Sequence, residues 1–518
     1  MPAWSVGSPV RPYRQGRGRN PVMHERGKSD SPVVPAKPPN NAGRPGAEVV
    51  EERGLAEGNT DDLTRPGRSA GPGVSSGLDR VREVARRDKD ARFTALLHHV
   101  DLNRLRAAYW AIRPQAAPGV DKVTWGAYRV GLEEKLQDLH YRVQSGSYRA
   151  SPSRRVYIEK TDGRLRPLGI ATLEDKIVQR AVVEVLNAIY EEDFLGFSYG
   201  FRPGRSPHDA LDALTVGIER RKVNWVLDAD VKDFFTSLDH DWLARFVEHR
   251  VADKRVLRLI QKWVNAGVIE DGKWTASEVG APQGASASPL LANIYLHYVL
   301  DRWARQWRSR HAHGDVIIVR FADDFVAGFE HKSDAEQFLT DLRERFSKFN
   351  LELHPDKTRL IEFGRNAARA RAARGDGRPE TFDFLGFTHM CGKNKSGGFW
   401  LRRKTISKRM RAKLAEVKDQ IKRRRHLPIP EQGKWLGSVV RGHIAYYAVP
   451  GNTDTVAAFR DEVIRHWFKA LRRRSQRTRV NWARMSVYVK RWLPPARPMH
   501  PFPIVRFNVR TQGRSPVR

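Results

Sequence analysis

Apolar residues recur with two different spacings along this chain, and the change of spacing divides the chain into two parts. Short alternating or continuous apolar runs predict strands at 156–158, 225–231, 316–320, 325–329 and 382–387. Apolar residues three and four positions apart predict helices between these runs, as over 173–190 and 335–349. Beyond about residue 400 only the helical spacing continues. The pattern therefore predicts an α+β region followed by an α-helical region.

The two ends of the chain lack such spacing. Residues 1–77 are rich in Pro, Gly, Arg, Ser and Asn, and they cannot bury enough apolar surface to offset the entropy cost of ordering. They predict a disordered basic leader, within which Met23 is an alternative start. Residues 486–518 are rich in Pro and Arg and predict a short basic tail.

Residues 78–155 predict a helical extension in front of the first strand. Apolar residues at helical spacing over 93–100 and 102–112 predict two amphipathic helices. The loop 117–121, which contains Pro and Gly, closes them. Because the whole chain is basic, we expect this extension to face nucleic acid.

The helical region near the C-terminus combines an apolar stripe with a strongly basic opposite face. The stripe steps by four, four, three and four residues through Ile406, Met410, Leu414, Val417 and Ile421. Two further helices are predicted over 435–447 and 456–471. Three arginines end the first helix and three end the last, namely Arg423, Arg424 and Arg425, and Arg472, Arg473 and Arg474. Basic helices with interleaved Trp and Tyr favour a nucleic-acid clamp, and a solvated charged bundle is the alternative.

The overall charge supports a polyanionic partner. Lys and Arg number 93 against 59 Asp and Glu, which gives a formal net charge of +34 at pH 7. An excess of this size disfavours a merely basic soluble protein. The single cysteine, Cys391, excludes a disulfide framework and cysteine-rich zinc sites. No apolar run is long enough to span a membrane and no N-terminal signal segment occurs, so a cytoplasmic setting is expected.

Candidate chemistry centres on Phe321-Ala322-Asp323-Asp324, which separates two β-branched or aromatic runs. This pattern predicts a hairpin whose turn carries the acids. Adjacent aspartates at a buried turn repel each other, and a divalent cation such as Mg²⁺, which prefers hard oxygen ligands, would cancel their charge. An ordinary Asp-Asp hairpin turn is the alternative interpretation.

The strand over 225–231 brings two more carboxylates to one face, because Asp228 and Asp230 are two residues apart. A carboxylate at the end of this strand can meet Asp323 and Asp324 if the two strands are neighbours. Three carboxylates that hold two Mg²⁺ ions are what nucleotidyl transfer requires. Phe235 follows five residues after Asp230, where a bulky ring could block a ribose 2′-hydroxyl.

Lys160 and Arg166 flank the predicted turn that follows strand 156–158. With Arg164 the hairpin tip has three cations, which suits a triphosphate, because Lys and Arg donate charge-assisted hydrogen bonds to phosphate oxygens. A basic hairpin that only faces solvent is the alternative, and the residues of the tip alone favour it.

Two loops rich in Gly and other small residues connect predicted elements. The loop 198–206 contains Arg202 and Arg205, which are candidate RNA-binding residues. The loop 280–288 combines Gly, Ala, Ser and Pro in front of an apolar helix. Small side chains there would let a nucleotide or a template base approach the backbone closely.

Seven motifs occur in a characteristic order. They are Arg166-Pro167-Leu168-Gly169-Ile170, Tyr199-Gly200-Phe201-Arg202-Pro203-Gly204, Asp230-Val231-Lys232, Pro282-Gln283-Gly284 with Ser288-Pro289-Leu290-Leu291-Ala292-Asn293, Phe321-Ala322-Asp323-Asp324, His354-Pro355-Asp356-Lys357-Thr358 and Phe384-Leu385-Gly386-Phe387. This order resembles that of the group II intron reverse transcriptases over about residues 78–485. The stretch Arg441-Gly442-His443-Ile444-Ala445-Tyr446-Tyr447 is similar to the maturase, or X, domain of that family. Each motif alone is weak, whereas the joint match is highly specific.

The resemblance implies a right-hand polymerase, with fingers and palm over 156–390 and a helical thumb or maturase domain over 391–485. It implies an RNA-directed DNA polymerase in which Asp230, Asp323 and Asp324 hold two Mg²⁺ ions. The implied nucleotide-binding residues are Lys160, Arg166, Phe235, Gln283 and Lys357. Of these, Phe235 would be the sugar gate, Gln283 would contact nucleotide or template, and Lys357 would protonate the pyrophosphate leaving group.

The resemblance also implies the partners. They are group II intron RNA, an RNA template with a DNA primer, dNTPs and target DNA, and the activities are synthesis of DNA, assistance of splicing and retrohoming. Arg441 of the maturase-like stretch joins the RNA-binding candidates. A bacterial, nucleoid-associated ribonucleoprotein without a membrane is the expected setting, and the sequence leaves the oligomeric state open.

Two positions depart from the family pattern. Phe321 stands where Tyr is usual, and Glu159 stands where Pro is usual. About 30 residues follow the predicted thumb and none is cysteine, so a C-terminal His/Cys-type endonuclease is expected to be absent. Two alternatives remain, a domesticated or defence-associated reverse transcriptase outside an intron, and a splicing cofactor whose polymerase is idle.

Overall fold

The computed structural model describes residues 75–159, 165–276, 280, 284–474 and 480–511. Helices are α1 Ser75–Arg87, α2 Leu102–Trp110, α3 Trp125–Arg129, α4 Leu132–Ser145, α5 Leu173–Asp193, α6 Pro207–Arg220, α7 Phe234–Ser237, α8 His240–Glu248, α9 Lys254–Val264, α10 Ser288–Leu296, α11 Arg302–His311, α12 Lys332–Ser347, α13 Ala367–Ala373, α14 Ser407–Arg423, α15 Ile429–Tyr447, α16 Thr453–Arg472, α17 Trp482–Trp492 and α18 Pro503–Thr511. Strands are β1 Ser153–Glu159, β2 Leu165–Ile170, β3 Trp225–Asp230, β4 Val268–Glu270, β5 Lys273–Thr275, β6 Val316–Phe321, β7 Asp324–Phe329, β8 Arg359–Glu362, β9 Phe382–Phe384, β10 Phe387–Lys393 and β11 Phe399–Thr405. Mixed helices and largely antiparallel sheets confirm the predicted α+β class. In these ranges no helix has the length and apolar character that a bilayer crossing needs.

The N-terminal extension is helical, but one of its predicted helices is wrong. Residues 93–100 form only a short 3₁₀ turn at Leu97–His99. The Asp253 carboxylate accepts the backbone N–H groups of Leu96 and Leu97 at 2.8 and 3.0 Å, which ties this segment to the start of α9. A tertiary contact therefore overrides the local helical spacing. The second prediction, over 102–112, corresponds to α2.

The central sheet has the strand order β6-β7-β3-β8, and all of its neighbouring strands are antiparallel. Strands β6, β7 and β3 are apolar over most of their length, and helices pack against them: α6 packs on β6, and α12 packs on β3 and β7. A second sheet, β2-β1-β4-β5, lies nearer the N-terminus and combines antiparallel pairs with one parallel pair. The central sheet is the one that carries the candidate acids.

A third sheet, β11-β10-β9, links the central region to the C-terminal helices. The sequence predicts one strand over 382–387, whereas the chain turns back at Leu385 and Gly386, which have φ angles of 46° and 82°. The strand is therefore divided into β9 and β10, which pair with each other. The predicted domain boundary at residue 390 falls inside β10, and the helices begin only at Ser407.

Helices α14 to α17 form the C-terminal bundle around an apolar core of their own, which includes Val417, Ile421, Leu436 and Trp467. Helix α17 crosses the predicted boundary at residue 485, so the predicted tail begins inside a helix. Part of that tail is α18, which packs on α6. There the buried carboxylate of Asp212 contacts Arg506, and it lies 3.5 Å from the buried guanidinium of Arg403.

Candidate active site

The hairpin of β6 and β7 confirms the predicted acid turn. Phe321 pairs with Asp324, so Ala322 and Asp323 form a two-residue turn between them. Ala322 has a φ of 59°, in the left-handed region that side chains other than Gly rarely adopt. Surrounding contacts must hold such a conformation in place. Asp323 and Asp324 are both half-buried at this turn.

Strand register selects Asp230 over Asp228 as the partner of the acid turn. Asp230 pairs directly with Asp324 across the antiparallel strands β3 and β7, which places both side chains on the same face. Asp228 instead lies 3.4 Å from the guanidinium of Arg359. Burial raises the pKa of Asp228 to about 6 although Arg359 acts in the opposite direction. The choice that spacing left open is therefore made by the pairing of two strands nearly a hundred residues apart.

Lys357 joins the acids from a distant part of the chain. The His354 backbone N–H donates to the Asp230 carbonyl at 2.9 Å, which docks the segment 354–358 on the end of β3. The Lys357 ammonium contacts the Asp230 carboxylate directly. The predicted proton donor and one predicted metal ligand therefore form an ion pair in this structure.

The donor chemistry of the turn fits a divalent cation. Asp230 and Asp324 are direct cross-strand partners, and Asp323 immediately precedes Asp324, so three acidic residues occupy neighbouring positions at this end of the sheet. Neighbouring carboxylates repel each other and need a compensating cation, and Lys357 supplies one to Asp230. No group of three His, Cys, Asp or Glu side chains within the described ranges is already arranged as a metal cage. A bound ion would therefore require the Asp230 carboxylate to exchange Lys357 for the metal.

A buried ion pair between Arg320 and Asp301 stabilises the acid turn. Arg320 and Asp301 are each 0 % exposed, and the guanidinium donates to both carboxylate oxygens at 2.7 and 2.6 Å. Its remaining donors reach Asn293 Oδ1 at 3.0 Å, Ser198 Oγ at 2.7 Å and the Ala322 carbonyl at 2.9 Å. All five N–H groups of the guanidinium are thereby used. One of them holds the strained residue of the acid turn.

Sequence reasoning missed this pair, although a signal was present. Arg320 is the one charged residue in the apolar run Val316–Phe321, directly in front of the acid turn. A charge in a continuous apolar strand must be paired when the strand is buried. Its partner, Asp301, lies in a single π-helical turn between α10 and α11 and could not be identified from spacing.

The loop 198–206 also supports the turn, and its two arginines point inward. A Cβ on Gly200 would lie 2.3 Å from the Ala322 nitrogen, so only Gly permits this close approach. Arg202 is 5 % exposed and pairs with Glu191 at 3.1 Å. Arg205 donates to the Gly196 carbonyl at 2.6 Å, and burial, together with Arg202, lowers its pKa to about 9. Both arginines therefore make structural contacts within the protein, and the RNA contacts predicted for Arg202 and Arg205 stay a prediction.

The acid turn lies within the residues that match a family model described as reverse transcriptase (RNA-dependent DNA polymerase), 158–389. The chain is 35% identical over 301 residues to Protein YkfC of Escherichia coli, covering 50% of this chain and 78% of YkfC. The chain belongs to the reverse transcriptase family. The prediction of an RNA-directed DNA polymerase is thereby confirmed.

Relatives whose names refer to introns place the chain in a narrower group of reverse transcriptases. It is 39% identical over 179 residues to the group II intron-encoded protein LtrA of Lactococcus lactis, covering 34% of this chain and 29% of LtrA. It is 40% identical over 178 residues to a 91 kDa protein in the cob intron of Schizosaccharomyces pombe, covering 34% of this chain and 21% of that protein. The resemblance to group II intron reverse transcriptases and maturases is confirmed. The chain spans less than a third of the length of either of these two relatives.

Of the predicted nucleotide-binding residues, the structure describes Phe235, Arg166 and Lys357. Phe235 is half-buried in α7, five residues after Asp230 in the chain. Arg166 lies on β2 opposite Ile158 of β1. Lys160 and Gln283 lie outside the described residues. Gly284, next to Gln283, has a φ of 107°, and a Cβ there would lie 2.9 Å from the Gly169 carbonyl of β2.

The two arginine runs of the C-terminal bundle come together at one end of it. Arg474 donates to the His426 carbonyl at 3.0 Å, which joins the end of α16 to the end of α14. Arg423, Arg472 and Arg473 are exposed there. Arg424 instead stacks on Trp435, with its guanidinium carbon 4.6 Å from the ring centroid. Arg425 and Arg474 are half-buried, and Arg441 is exposed on α15.

Proposed function

We propose that this reverse transcriptase copies RNA into DNA at the Asp230, Asp323 and Asp324 site. The observation that carries the proposal is the register of β3 and β7, which sets Asp230 opposite Asp324 beside the turn. Two Mg²⁺ ions held by these carboxylates would lower the pKa of the primer 3′-hydroxyl and stabilise displacement at phosphorus. In this proposal the central sheet is the palm, the β2-β1-β4-β5 sheet belongs to the fingers, and the C-terminal bundle is the thumb.

The remaining candidates act on the nucleotide itself. Arg166 and Lys160 bind the triphosphate, because Arg and Lys donate charge-assisted hydrogen bonds to phosphate oxygens. Lys357, released from Asp230 when the acids bind metal, donates its proton to the pyrophosphate leaving group. Phe235 excludes a ribose 2′-hydroxyl by its bulk, and Gln283 contacts the nucleotide or the template.

We further propose a maturase role on a group II intron RNA, with retrohoming into target DNA. The names of the relatives and the exposed arginines at one end of the C-terminal bundle support this role. Phosphate contacts from Arg423, Arg441, Arg472 and Arg473 position the RNA and set its affinity without taking part in chemistry.

The polymerase proposal is tested with two carboxamide variants and a matched control. Asp323→Asn and Asp230→Asn keep the shape of the side chain and remove the charge that a metal requires. Extension of a DNA primer on an RNA template should fall by at least about 10³-fold, which corresponds to several kcal/mol of lost transition-state stabilisation.

Asp228→Asn is the matched control, because Asp228 lies on the same face of β3 but faces Arg359. It should retain extension within about tenfold, since it removes no ligand. A folded Asp323→Asn variant that extends primers at the wild-type rate would rule out the proposed metal site.

A further inference from the structure

The segment 493–507, which we call the strap, leaves the C-terminal bundle and returns to α6, the helix that packs on the central sheet. Its first part belongs to the apolar core of the bundle, where Leu493 is buried and Ala496 packs against the same core. Its last part belongs to the large apolar core that includes the central sheet, where Phe507 is buried and Ile504 packs against that core. The strap therefore joins two separate apolar cores.

A line of polar contacts follows the strap from α6 to α15. The Arg506 guanidinium contacts the Asp212 carboxylate of α6 and donates from Nη1 to His500 Nδ1 at 2.8 Å. The other ring nitrogen of His500, Nε2, lies 2.7 Å from the Ala445 carbonyl in the last turn of α15. The His500 ring also stacks on His208 of α6, with the ring centroids 4.0 Å apart. A helix of the central region and a helix of the bundle are therefore connected through two side chains of the strap.

The two partners of His500 fix the position of its proton. A guanidinium can only donate, so Nδ1 accepts from Arg506, and Nε2 carries the proton that the Ala445 carbonyl accepts. Burial lowers the pKa of His500, although the Ala445 carbonyl acts in the opposite direction. The ring is therefore neutral at pH 7 and serves both partners at once. Only a side chain that accepts at one end and donates at the other can replace it.

The bundle has another attachment to α6, at the point where the chain enters the bundle. Strand β11 precedes α14, and the Glu219 carboxylate of α6 accepts the Leu401 N–H of β11 at 2.9 Å. Asp212, two turns before Glu219 on the same face of α6, pairs with Arg403 of β11 at 3.5 Å. Asp212 therefore holds both β11 and the strap. One attachment leaves a rigid bundle free to rotate about it, whereas a second attachment at the end of α15 restricts that rotation.

We propose that Arg506 is a positioning residue, which holds the C-terminal bundle in one orientation on the central region and thereby holds the primer-template at the acid site. It acts through Asp212 and His500 and not through the acids. The inference rests on the proposed function, in which the bundle is the thumb. If the bundle rotates among several orientations, the apparent affinity for primer-template falls with the fraction in the competent orientation. The strap therefore controls the KM for primer-template and the product length, and not the rate of the chemical step.

The test compares Arg506→Gln with Arg497→Gln, which removes the same charge from an exposed position of the strap. In Arg506→Gln the buried Asp212 keeps Arg403 as its partner. Primer extension by the full chain gives the KM for primer-template, the single-turnover rate at saturation and the product length after one binding event. In Arg506→Gln the KM should rise at least about tenfold, as when about a tenth of the molecules keep the competent orientation. Its products should be shorter and its single-turnover rate should stay within about twofold of wild type. Arg497→Gln should match wild type in all three.

Two variants of His500 separate positioning from packing. His500→Phe keeps a ring against His208 but removes both hydrogen bonds, so its KM should rise as in Arg506→Gln. His500→Gln keeps an amide oxygen for Arg506 and an amide N–H for the Ala445 carbonyl, so it should restore most of the wild-type KM. Loss of packing alone would give the opposite order, because Gln lacks the ring. Melting curves set a temperature at which every variant is folded.

The remaining outcomes separate this inference from the proposed function. Wild-type KM and product length in a folded Arg506→Gln variant would overturn the inference, because the strap would then contribute stability only. Equal changes in Arg497→Gln, or a lower KM in His500→Phe than in His500→Gln, would also overturn it. If Arg506→Gln does not fold, the order of the two His500 variants decides. A wild-type protein that extends no primer would overturn the proposed function and this inference with it, whereas an active wild type with unaffected variants overturns this inference alone.

Discussion

Arg320 illustrates how a single residue can serve a site that it does not enter. Its guanidinium lies in the core with all five donors engaged, and one donor holds the Ala322 carbonyl of the acid turn. The backbone of Arg320 also pairs with Phe197 and Tyr199 at 2.8 Å, so the turn is fixed from two directions. A buried ion pair is weak evidence for stability but strong evidence for a specified local geometry when each donor has a partner.

Removing Arg320 should therefore separate stability from activity. Arg320→Met leaves Asp301 charged and buried, and the free energy of unfolding should fall by about 3–5 kcal/mol. Arg320→Met combined with Asp301→Leu should recover much of that loss, because no unpaired charge remains. Primer extension should stay low in the double variant, because the acid turn still lacks its donor. Urea unfolding and primer extension measure the two effects, and recovery of both would leave the pair with a role in stability only.

Phe235 gives a second prediction at the scale of one residue. At the proposed sugar gate, Phe235→Val would open space without adding a polar group, so incorporation of ribonucleotides should rise relative to deoxynucleotides. Competing rNTP and dNTP incorporation on the same RNA template measures the ratio. Phe234 is buried and packs in the core, so a change at Phe234 would not test the sugar gate. An unchanged ratio would remove Phe235 as the sugar gate.

At the scale of elements, Asp253 attaches the N-terminal extension to the rest of the molecule. Burial alone would raise the pKa of Asp253, but hydrogen bonds from Arg255 and from the Leu96 and Leu97 N–H groups lower it to about 2. The carboxylate thus serves two elements at once, since it also caps α9.

Asp253→Asn should destabilise the protein in a pH-dependent manner. At neutral pH the free energy of unfolding should fall by about 1–3 kcal/mol, the usual range for hydrogen bonds to a charged group. Because the folded pKa lies below the ordinary value of about 3.9, the stabilisation is present above about pH 4 and is lost as the pH falls toward 2. Urea unfolding from pH 7 to about pH 3 should therefore show that the difference in the free energy of unfolding between variant and wild type becomes smaller. If this difference in the free energy of unfolding did not change with pH, the destabilisation would come from the shape of the side chain and not from its charge.

At the scale of the whole molecule, the proposed chemistry and the proposed RNA binding lie on different elements. The acids belong to the central sheet, whereas the exposed Arg423, Arg472 and Arg473 lie at one end of the C-terminal bundle. Their places at helix C-termini are also favourable for the helix dipole, so part of their role is local. The guanidinium groups of these three arginines face solvent, so they can contact phosphates.

Changing those three arginines to Gln should weaken binding to intron RNA and lower the salt slope by roughly 0.9 per lost contact on a duplex-like backbone. Splicing assistance at low Mg²⁺ should fall with it, while extension of a saturating primer-template changes far less. Asp323→Asn should instead abolish primer extension and have little effect on splicing. Lys254, Arg258 and Arg378, all exposed elsewhere, provide a control triple with the same change in charge. Loss of splicing in a folded Asp323→Asn variant would show that both functions depend on one site.

The sequence by itself determined the local elements and the order of the motifs. Period-two alternation placed Asp228 and Asp230 on one face of β3, a small residue and two acids between two strands predicted the hairpin, and the 406–421 stripe predicted α14. These features depend on neighbours within one or two turns of chain, so spacing and turn chemistry suffice to predict them.

Only the tertiary structure decided which distant groups meet. It set Asp230 and not Asp228 against Asp324, buried Arg202 against Glu191, shortened the helix at 93–100 and brought Arg474 to His426. Arg202 shows the reason most clearly, because an arginine in a Gly/Pro loop has the same local pattern whether it faces solvent or a buried carboxylate. The choice depends on packing between segments far apart in the chain, which the local periodicity of a single sequence does not specify.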